Sequence, residues 1–409
     1  ISNESVMSGA GWISMLKLKA SYGVQGNDDL YPGSNYARKF YPYADNYTHS
    51  YNEATGEYST DLAYKGNEDL TWESSQSFNA GVDFEFFGSR LNGSAEYFSR
   101  KTVDLLYSKD VPLSAGNPTG YYPVNVGSIV NNGFELTLEG ILINTSAMQW
   151  SLNMNLSHYR NRILSLDPSV SEEGIKGGNY IYKIGGSLYE AYMRKYAGVN
   201  PENGKAQWYR KVLDKDGAWT GESEITETFA DASQYELGPV LPKLYGGFGT
   251  TFKAYGFDLS AQFSFQLGGR YYDGTYQALM HTSSGIGTAW HKDVLDSCSE
   301  TNKDSDIPRL DGDTSVGQTA VSNYLISSNY LSVNNITLGY TFPESVTSYL
   351  KISGLRIYVA GDNLAVKSAR KGVDPRYSMG LGSLTSGSGL NSGSYSAMRT
   401  VTGGITLTF

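Results

Sequence analysis

The feature that most constrains this chain is the strict alternation of apolar and polar residues in run after run. Phe257, Leu259, Ala261, Phe263, Phe265 and Leu267 interleave with Asp258, Ser260, Gln262, Ser264 and Gln266. Successive side chains of a strand point to opposite faces, so such a run builds a ribbon with one oily face and one wet face. Trp150, Leu152, Met154 and Leu156 repeat the pattern against Ser151, Asn153, Asn155 and Ser157, as do Phe78, Ala80, Val82, Phe84 and Phe86 against Asn79, Gly81, Asp83 and Glu85. With further runs at 16–24, 91–105, 134–138, 188–199, 206–208, 244–252, 331–342, 355–359 and 401–409, about twelve strands are expected, and helical periodicity is almost absent. In the run 331–342 the apolar phase shifts near Asn334 and Asn335, which predicts a bulge.

The spacing between runs carries the topology. Short connections fall at 88–89, 144–147, 200–204, 254–256 and 343–353, and long ones near 26–70, 110–124, 167–187, 211–241, 271–328 and 367–394. Every second connection is short, as in an outer-membrane barrel with tight periplasmic turns and long extracellular loops. A sandwich would not require that regularity. No stretch is long and apolar enough for a membrane helix, but a membrane strand needs only about ten residues with alternate ones facing lipid. The fold class expected is therefore all-β, a transmembrane antiparallel β-barrel, with residues 1–409 forming one portion of it. Trp12, Trp72, Tyr107, Trp150 and Tyr340 lie near run ends, where amphipathic rings would form interfacial girdles, although aromatics also suit strands in general. The final run, with Ile405, Leu407 and Phe409 on one face, looks like a barrel-assembly signal. The chain begins at Ile1 without an export signal, so we read it as a fragment of a longer polypeptide.

Composition removes several function classes. A net charge of −9 without basic clusters offers no footprint for nucleic acid. Cys298 is the single cysteine, and His49, His158, His281 and His291 have no ligand spacing, so no metal and no cofactor is expected. Nucleophile elbows and phosphate loops are absent, and Gly-rich 380–393 lacks a following helix, so the chain is not expected to be an enzyme. Asp214, Asp216 and Gly217 read as a turn rather than a calcium loop, and Asp304, Asp306, Asp311 and Asp313 as a solvated face. The first long connection, by contrast, is crowded with rings: Tyr31, Tyr36, Phe40, Tyr41, Tyr43, Tyr47, Tyr51, Tyr58 and Tyr64. Tyrosine offers a flat apolar face and a hydroxyl, suited to sugars and to protein interfaces. Tyr31, Tyr36, Tyr41, Tyr43, Tyr47 and Tyr51 are the candidates for contact with a substrate or a lid.

Short segments in fixed order carry a resemblance. Leu16-Lys17-Leu18-Lys19-Ala20-Ser21-Tyr22-Gly23 is followed by Gly26-Asn27, then Asn67-Glu68-Asp69-Leu70-Thr71-Trp72-Glu73. Asn125-Val126-Gly127-Ser128 leads to Asn132-Gly133-Phe134-Glu135, and Tyr196-Ala197-Gly198-Val199-Asn200-Pro201 comes next. Asn335-Ile336-Thr337-Leu338-Gly339-Tyr340-Thr341 and Gly361-Asp362-Asn363-Leu364 complete the set. Together these resemble the SusC/RagA-type TonB-dependent outer-membrane transporters of Bacteroidetes. The resemblance implies a 22-stranded barrel, of which this chain would supply about the last twelve strands, with the plug absent from it. It implies active import of an oligomeric nutrient, an oligosaccharide first and an oligopeptide second, energised by TonB through an N-terminal portion. It further implies a SusD-like surface lipoprotein as lid, a dimer of transporter–lipoprotein pairs, contact with the lipid bilayer, and residence in the outer membrane of a Gram-negative cell. A passive porin and a soluble β-rich carbohydrate-binding module are the alternatives.

Overall fold

A computed structural model describes residues 9–30, 40–168, 170, 172–177, 179–280, 289–310, 321–372, 374–377 and 397–409. Tyr31, Tyr36, His281, Asp311, Asp313 and the stretch 380–393 lie outside the described residues. Ten strands form one antiparallel sheet in chain order. They are β1 (Ile13–Asn27), β2 (Glu73–Phe86), β3 (Leu91–Val103), β4 (Ser128–Asn144), β5 (Met148–Ser165), β6 (Leu244–Ala254), β7 (Phe257–Leu267), β8 (Tyr330–Thr341), β9 (Gly354–Lys367) and β10 (Thr400–Thr408).

Register turns the alternation along each strand into alternation across the whole sheet. One lateral row runs Leu16, Phe84, Gly93, Leu138, Met154, Phe248, Phe263, Val333 and Ala365, apolar throughout. The next runs Lys17, Asp83, Ser94, Thr137, Asn155, Gly247, Ser264 and Ser332, mostly polar. A slip of one residue would put the apolar set on the wet face, so the pattern holds the register. The bulge expected in 331–342 is present: pairing jumps from Val333 to Asn335 and leaves Asn334 as the extra residue.

Burial shows what the apolar face is for. Leu18, Tyr22 and Val401 are each about two-thirds exposed, and Phe78, Leu152, Phe248, Leu338 and Val359 are exposed as well. A soluble sheet would bury such a face, whereas a wall in lipid leaves it uncovered by protein. The hydrophobic core lies elsewhere, among Tyr180, Met193, Trp208, Val240, Tyr272 and Tyr324 in the long connections. This corrects two of the twelve expected strands. Residues 188–199 and 206–208 lie outside the wall, in small sheets built from Glu190–Arg194, Tyr196–Val199 and Ala206–Leu213 with their partners. Their alternation is real, but its apolar members Ala191, Met193 and Trp208 face the protein core. Periodicity reports two unlike faces and not which medium each one meets.

With ten wall strands the connections alternate without exception. Short ones occupy 87–90, 145–147, 255–256 and 342–353, and long ones 28–72, 104–127, 166–243, 268–329 and 368–399. One connection, 166–243, replaces the separate loops expected at 167–187 and 211–241, and the turn at 200–204 is internal to it. In an antiparallel meander all long connections emerge at one end of the sheet, here called the crown. At the other end Tyr255 and Gly256, with φ of 50° and 86°, make the two-residue turn between β6 and β7. Rings gather at this short-turn end: Trp12 meets Phe86 at 5.0 Å, and Tyr340 meets Phe257 at 4.6 Å and Phe342 at 5.0 Å. Trp150 sits there too, its indole N–H donating to Thr250 Oγ1 at 2.9 Å. Trp72 lies at the crown end against Gly26, and Tyr107 lies in a two-stranded sheet of the crown, outside the wall.

Candidate functional site

The polar face of the wall carries a band of charged and amide side chains. A row near the crown runs Lys19, Gly81, Glu96, Glu135, Ser157, Tyr245 and Gln266. Lys19 Nζ bridges Asp83 at 2.9 Å and Glu96 at 3.0 Å. It crosses β2 because position 81 is glycine, where a Cβ would lie 2.9 Å from Lys19 Cε. Above this row Tyr159 meets Tyr245 edge to face at 6.3 Å, and a recess of about 440 Å³ opens between Asn79, Glu96, Arg100, Asn131, Glu135 and Tyr159. A second recess, about 670 Å³, is lined on this face by Glu139, Asn153, Asn155, Gln262, Ser264 and Asn334. Acceptors, donors and rings side by side suit a flexible polar oligomer.

Nearer the short turns, Arg356 clamps Asp258 with two bonds, Nε to Oδ1 at 3.0 Å and Nη2 to Oδ2 at 2.6 Å. The pair spans from β9 to β7 across Gly339 of β8, where a Cβ would sit 2.6 Å from Asp258 Oδ1. Glycine is therefore required at Gly339 by the ion pair lying over it.

Polar links fasten the crown to the wall and the crown's connections to one another. Arg376 donates to Ser332 Oγ at 2.9 Å, Asn334 Oδ1 at 3.2 Å and Asn363 Oδ1 at 3.3 Å, and is paired with Asp374 at 2.7 Å. The bulge at Asn334 and the left-handed turn at Asn363, φ 50°, aim these oxygens at the guanidinium. Burial acts to raise Asp374, but the Arg376 guanidinium outweighs it and holds the carboxyl below its ordinary value. Arg370 pairs with buried Asp273 at 2.6 Å and lies over the Tyr276 ring at 3.2 Å, joining connection 368–399 to 268–329. Asn125 accepts from Thr71 N at 2.7 Å and donates to Thr71 O and Asp104 O at 2.8 Å, and Asn67 donates to Pro123 O at 2.8 Å.

Of the tyrosine candidates, Tyr41, Tyr43, Tyr47 and Tyr51 lie at the crown surface, each more than half exposed. Tyr47 and Tyr51 belong to a hairpin of Asn46–Asn52 with Glu57–Tyr64, where Tyr51 packs on Tyr58 at 4.8 Å. Tyr64 is different: it is buried, donates to Pro42 O at 3.3 Å, and burial pushes its hydroxyl up to about 12. Ile405 and Leu407 are exposed on the apolar face of β10 and Phe409 follows it, also exposed. Asp214 Oδ1 accepts from the backbone of Asp216 and Ala218 at 2.9 Å, closing a hairpin turn. Among the described residues no group of three or more His, Cys, Asp or Glu side chains could hold a metal ion. Sequence reasoning missed the Arg356–Asp258 clamp and the Arg376 anchor. Polar parity marks where such charges sit, but which of them meet depends on register across two strands.

A two-faced ten-stranded wall, oily outside its own core and polar on the other side, with all long connections at one end, meets its match in known proteins. Residues 13–364 match the family model described as TonB dependent receptor-like, beta-barrel. The chain belongs to that family. It is 27% identical to TonB-dependent receptor P3 of Formosa agariphila over its full length, covering 41% of that protein. It is 26% identical to TonB-dependent receptor SusC of Bacteroides thetaiotaomicron, with 93% of this chain and 37% of SusC covered. Among solved structures, that of the RagAB peptide transporter superposes over the whole chain with a TM-score of 0.76 at 25% identity, covering 42% of that chain. The chain thus spans about two fifths of the relatives it matches, a partial barrel of SusC/RagA type that resides in the outer membrane. The polar face is the barrel's lumenal face and the apolar face meets lipid.

Proposed function

We propose that this wall forms the conduit of a TonB-dependent importer for an oligomeric nutrient, with the crown facing the cell exterior. The supporting observation is the lumenal band of paired charges, amides and tyrosines, which leads from the crown recesses toward the short turns. Such a surface offers many weak, exchangeable hydrogen bonds and ring contacts, suited to passing a chain of repeating polar units. An oligosaccharide is the first candidate cargo, and the likeness to the RagAB peptide transporter supports an oligopeptide as the second. In this reading strands beyond β1 and β10 close the barrel, a plug outside this chain gates it, and the chain itself performs no catalysis.

Exposed Tyr41, Tyr43, Tyr47 and Tyr51 then act at the contact with a SusD-like lipoprotein lid or with the cargo beneath it, and Phe409 with Ile405 and Leu407 acts in barrel assembly. The test is purification of the full-length protein from outer membrane in detergent. A lipoprotein recovered in equal amount, and lost when the four tyrosines are changed to Ala, supports the reading. A lone barrel that conducts ions passively would replace it with the porin reading.

A further inference from the structure

The lipid-facing side of the wall is chemically lopsided. Toward the short turns, its register positions hold Phe84, Phe86, Trp150, Phe252, Phe257 and Tyr340, without a Lys or Arg among the described residues there. Toward the crown three successive rows change character. The first runs Ala20, Ala80, Tyr97, Phe134 and His158; the second Tyr22, Phe78, Ser99, Asn132 and Arg160; the third Val24, Gln76, Lys101, Val130 and Arg162. A row holding Tyr97 and Phe134 is thus followed within two rows by three cations on the same face, and a fourth, Lys367, shares a row with Phe265 and Leu331 of that face.

These cations are exposed, and none of Lys101, Arg160 and Arg162 makes an ion pair within the described residues. On the lumenal face Lys19 and Arg356 are paired, while Lys17, Arg100 and Lys253 make no ion pair within the described residues. A recess of about 360 Å³ beside Arg160 is lined by His158, Gly186, Ser187, Glu190 and Pro239. His158 is bonded to the Lys243 carbonyl, and Glu190, the one carboxylate lining the recess, is shifted upward by burial.

Unpaired cations beside and just above the rings of Tyr22, Phe78, Tyr97 and Phe134 stand where lipid headgroups begin. We infer that Lys101, Arg160 and Arg162 form a docking patch for a phosphate-bearing lipid headgroup at the crown-side boundary of the bilayer. Two guanidiniums on one strand, two residues apart, can each present a fork to phosphate oxygens, while Lys101 adds a point charge two strands away. Ser99 and Asn132 share Arg160's row, and Ser99 Oγ donates to Asn132 Oδ1 at 2.7 Å, which turns the neutral Asn132 amide N–H groups toward the same patch. The lipid's acyl chains would lie down the apolar rows beneath, past Tyr97, Phe134 and Leu156.

The inference rests on the proposed outward crown, but its test does not. Full-length protein is reconstituted in nanodiscs of phosphatidylcholine with a minor fraction of phosphatidylglycerol, then released, and the retained lipid is counted by native mass spectrometry. Wild type is expected to enrich the anionic lipid. The K101Q/R160Q/R162Q variant is expected to lose that enrichment by about fivefold per cation. R160K/R162K, which keeps the charge, should retain most of it, and K253Q on the lumenal face should be unchanged; these two separate lost binding from lost folding. Equal enrichment in wild type and the triple variant would overturn the patch. Removal of the lipid by millimolar inorganic phosphate would show a free-anion site instead and would overturn the lipid assignment.

Discussion

Gly339 offers the sharpest test of how the lumenal wall is built. Its backbone is in an ordinary extended conformation, so Gly339→Ala carries no φ strain, and in isolation the added methyl would slightly favour the strand. The cost arises from both partners of the ion pair: Arg356 Nη2 would be the atom nearest the new Cβ, and the two Asp258 carboxylate oxygens would lie 2.6 and 2.7 Å from it. The carboxylate must move away and surrender the two-bond clamp to Arg356. Hydrogen bonds between charged groups contribute about 1.5–3 kcal/mol. The side chains here are 32% and 23% exposed, and solvent screening lowers the expectation to about 1–2 kcal/mol. In an Arg356→Gln background the clamp is already gone, and Gly339→Ala should then cost close to nothing. The coupling between the two changes should therefore be about 1–2 kcal/mol. Urea unfolding of the four full-length proteins refolded in detergent, followed by tryptophan fluorescence, reads this out. Equal destabilisation by Gly339→Ala in both backgrounds would refute the ion-pair explanation of the glycine.

Three further outcomes follow from the two faces and the crown. Leu152→Arg, facing lipid, should destabilise the barrel by about 2–4 kcal/mol near the bilayer midplane, while neighbouring Asn153→Arg, facing the lumen, should be tolerated; similar effects in the same unfolding assay would contradict the assignment of faces. Asp374 is held below the ordinary carboxylate value, so its pairing with Arg376 stabilises the crown above pH 3.8 and is lost as pH falls through the lower folded value. Limited proteolysis should accordingly cut 368–399 faster at pH 2.5 than at pH 7, and an Asp374→Asn variant should be cut readily at both. Deleting Phe409 should lower the amount of barrel in the outer membrane without lowering synthesis, as measured by immunoblot of membrane fractions and whole cells.

Much of the wall was legible in the sequence because lipid and lumen impose the same period of two on every strand. The runs 16–24, 78–86, 150–157 and 257–267 all lie in β1, β2, β5 and β7, and the bulge at Asn334 was visible as a break in phase. The misassigned runs 188–199 and 206–208 follow the same rule for a different reason: Met193 and Trp208 pack into the core of the crown. A local pattern cannot distinguish burial in protein from exposure to lipid. The site was less legible. Glu96, Glu135, Tyr159 and Tyr245 sit on polar parity in separate runs, and only lateral register gathers them. Several residues within the recurring segments have physical roles that surface only in three dimensions: Asn67 and Asn125 stitch crown backbone, Gly339 makes room for a clamp, and Asn363 turns an oxygen toward Arg376.

Import, lid contact and lipid docking all depend on which way the wall faces, and site-directed labelling answers that directly. In full-length protein with every native cysteine, Cys298 among them, changed to Ser, single cysteines at Asp216 in the crown and at Ser89 in a short turn would be treated in intact cells with a membrane-impermeant maleimide. Labelling of position 216 in intact cells, with position 89 labelled only after the cells are broken, is the predicted result. Labelling of position 89 in intact cells, with position 216 protected, would contradict the account.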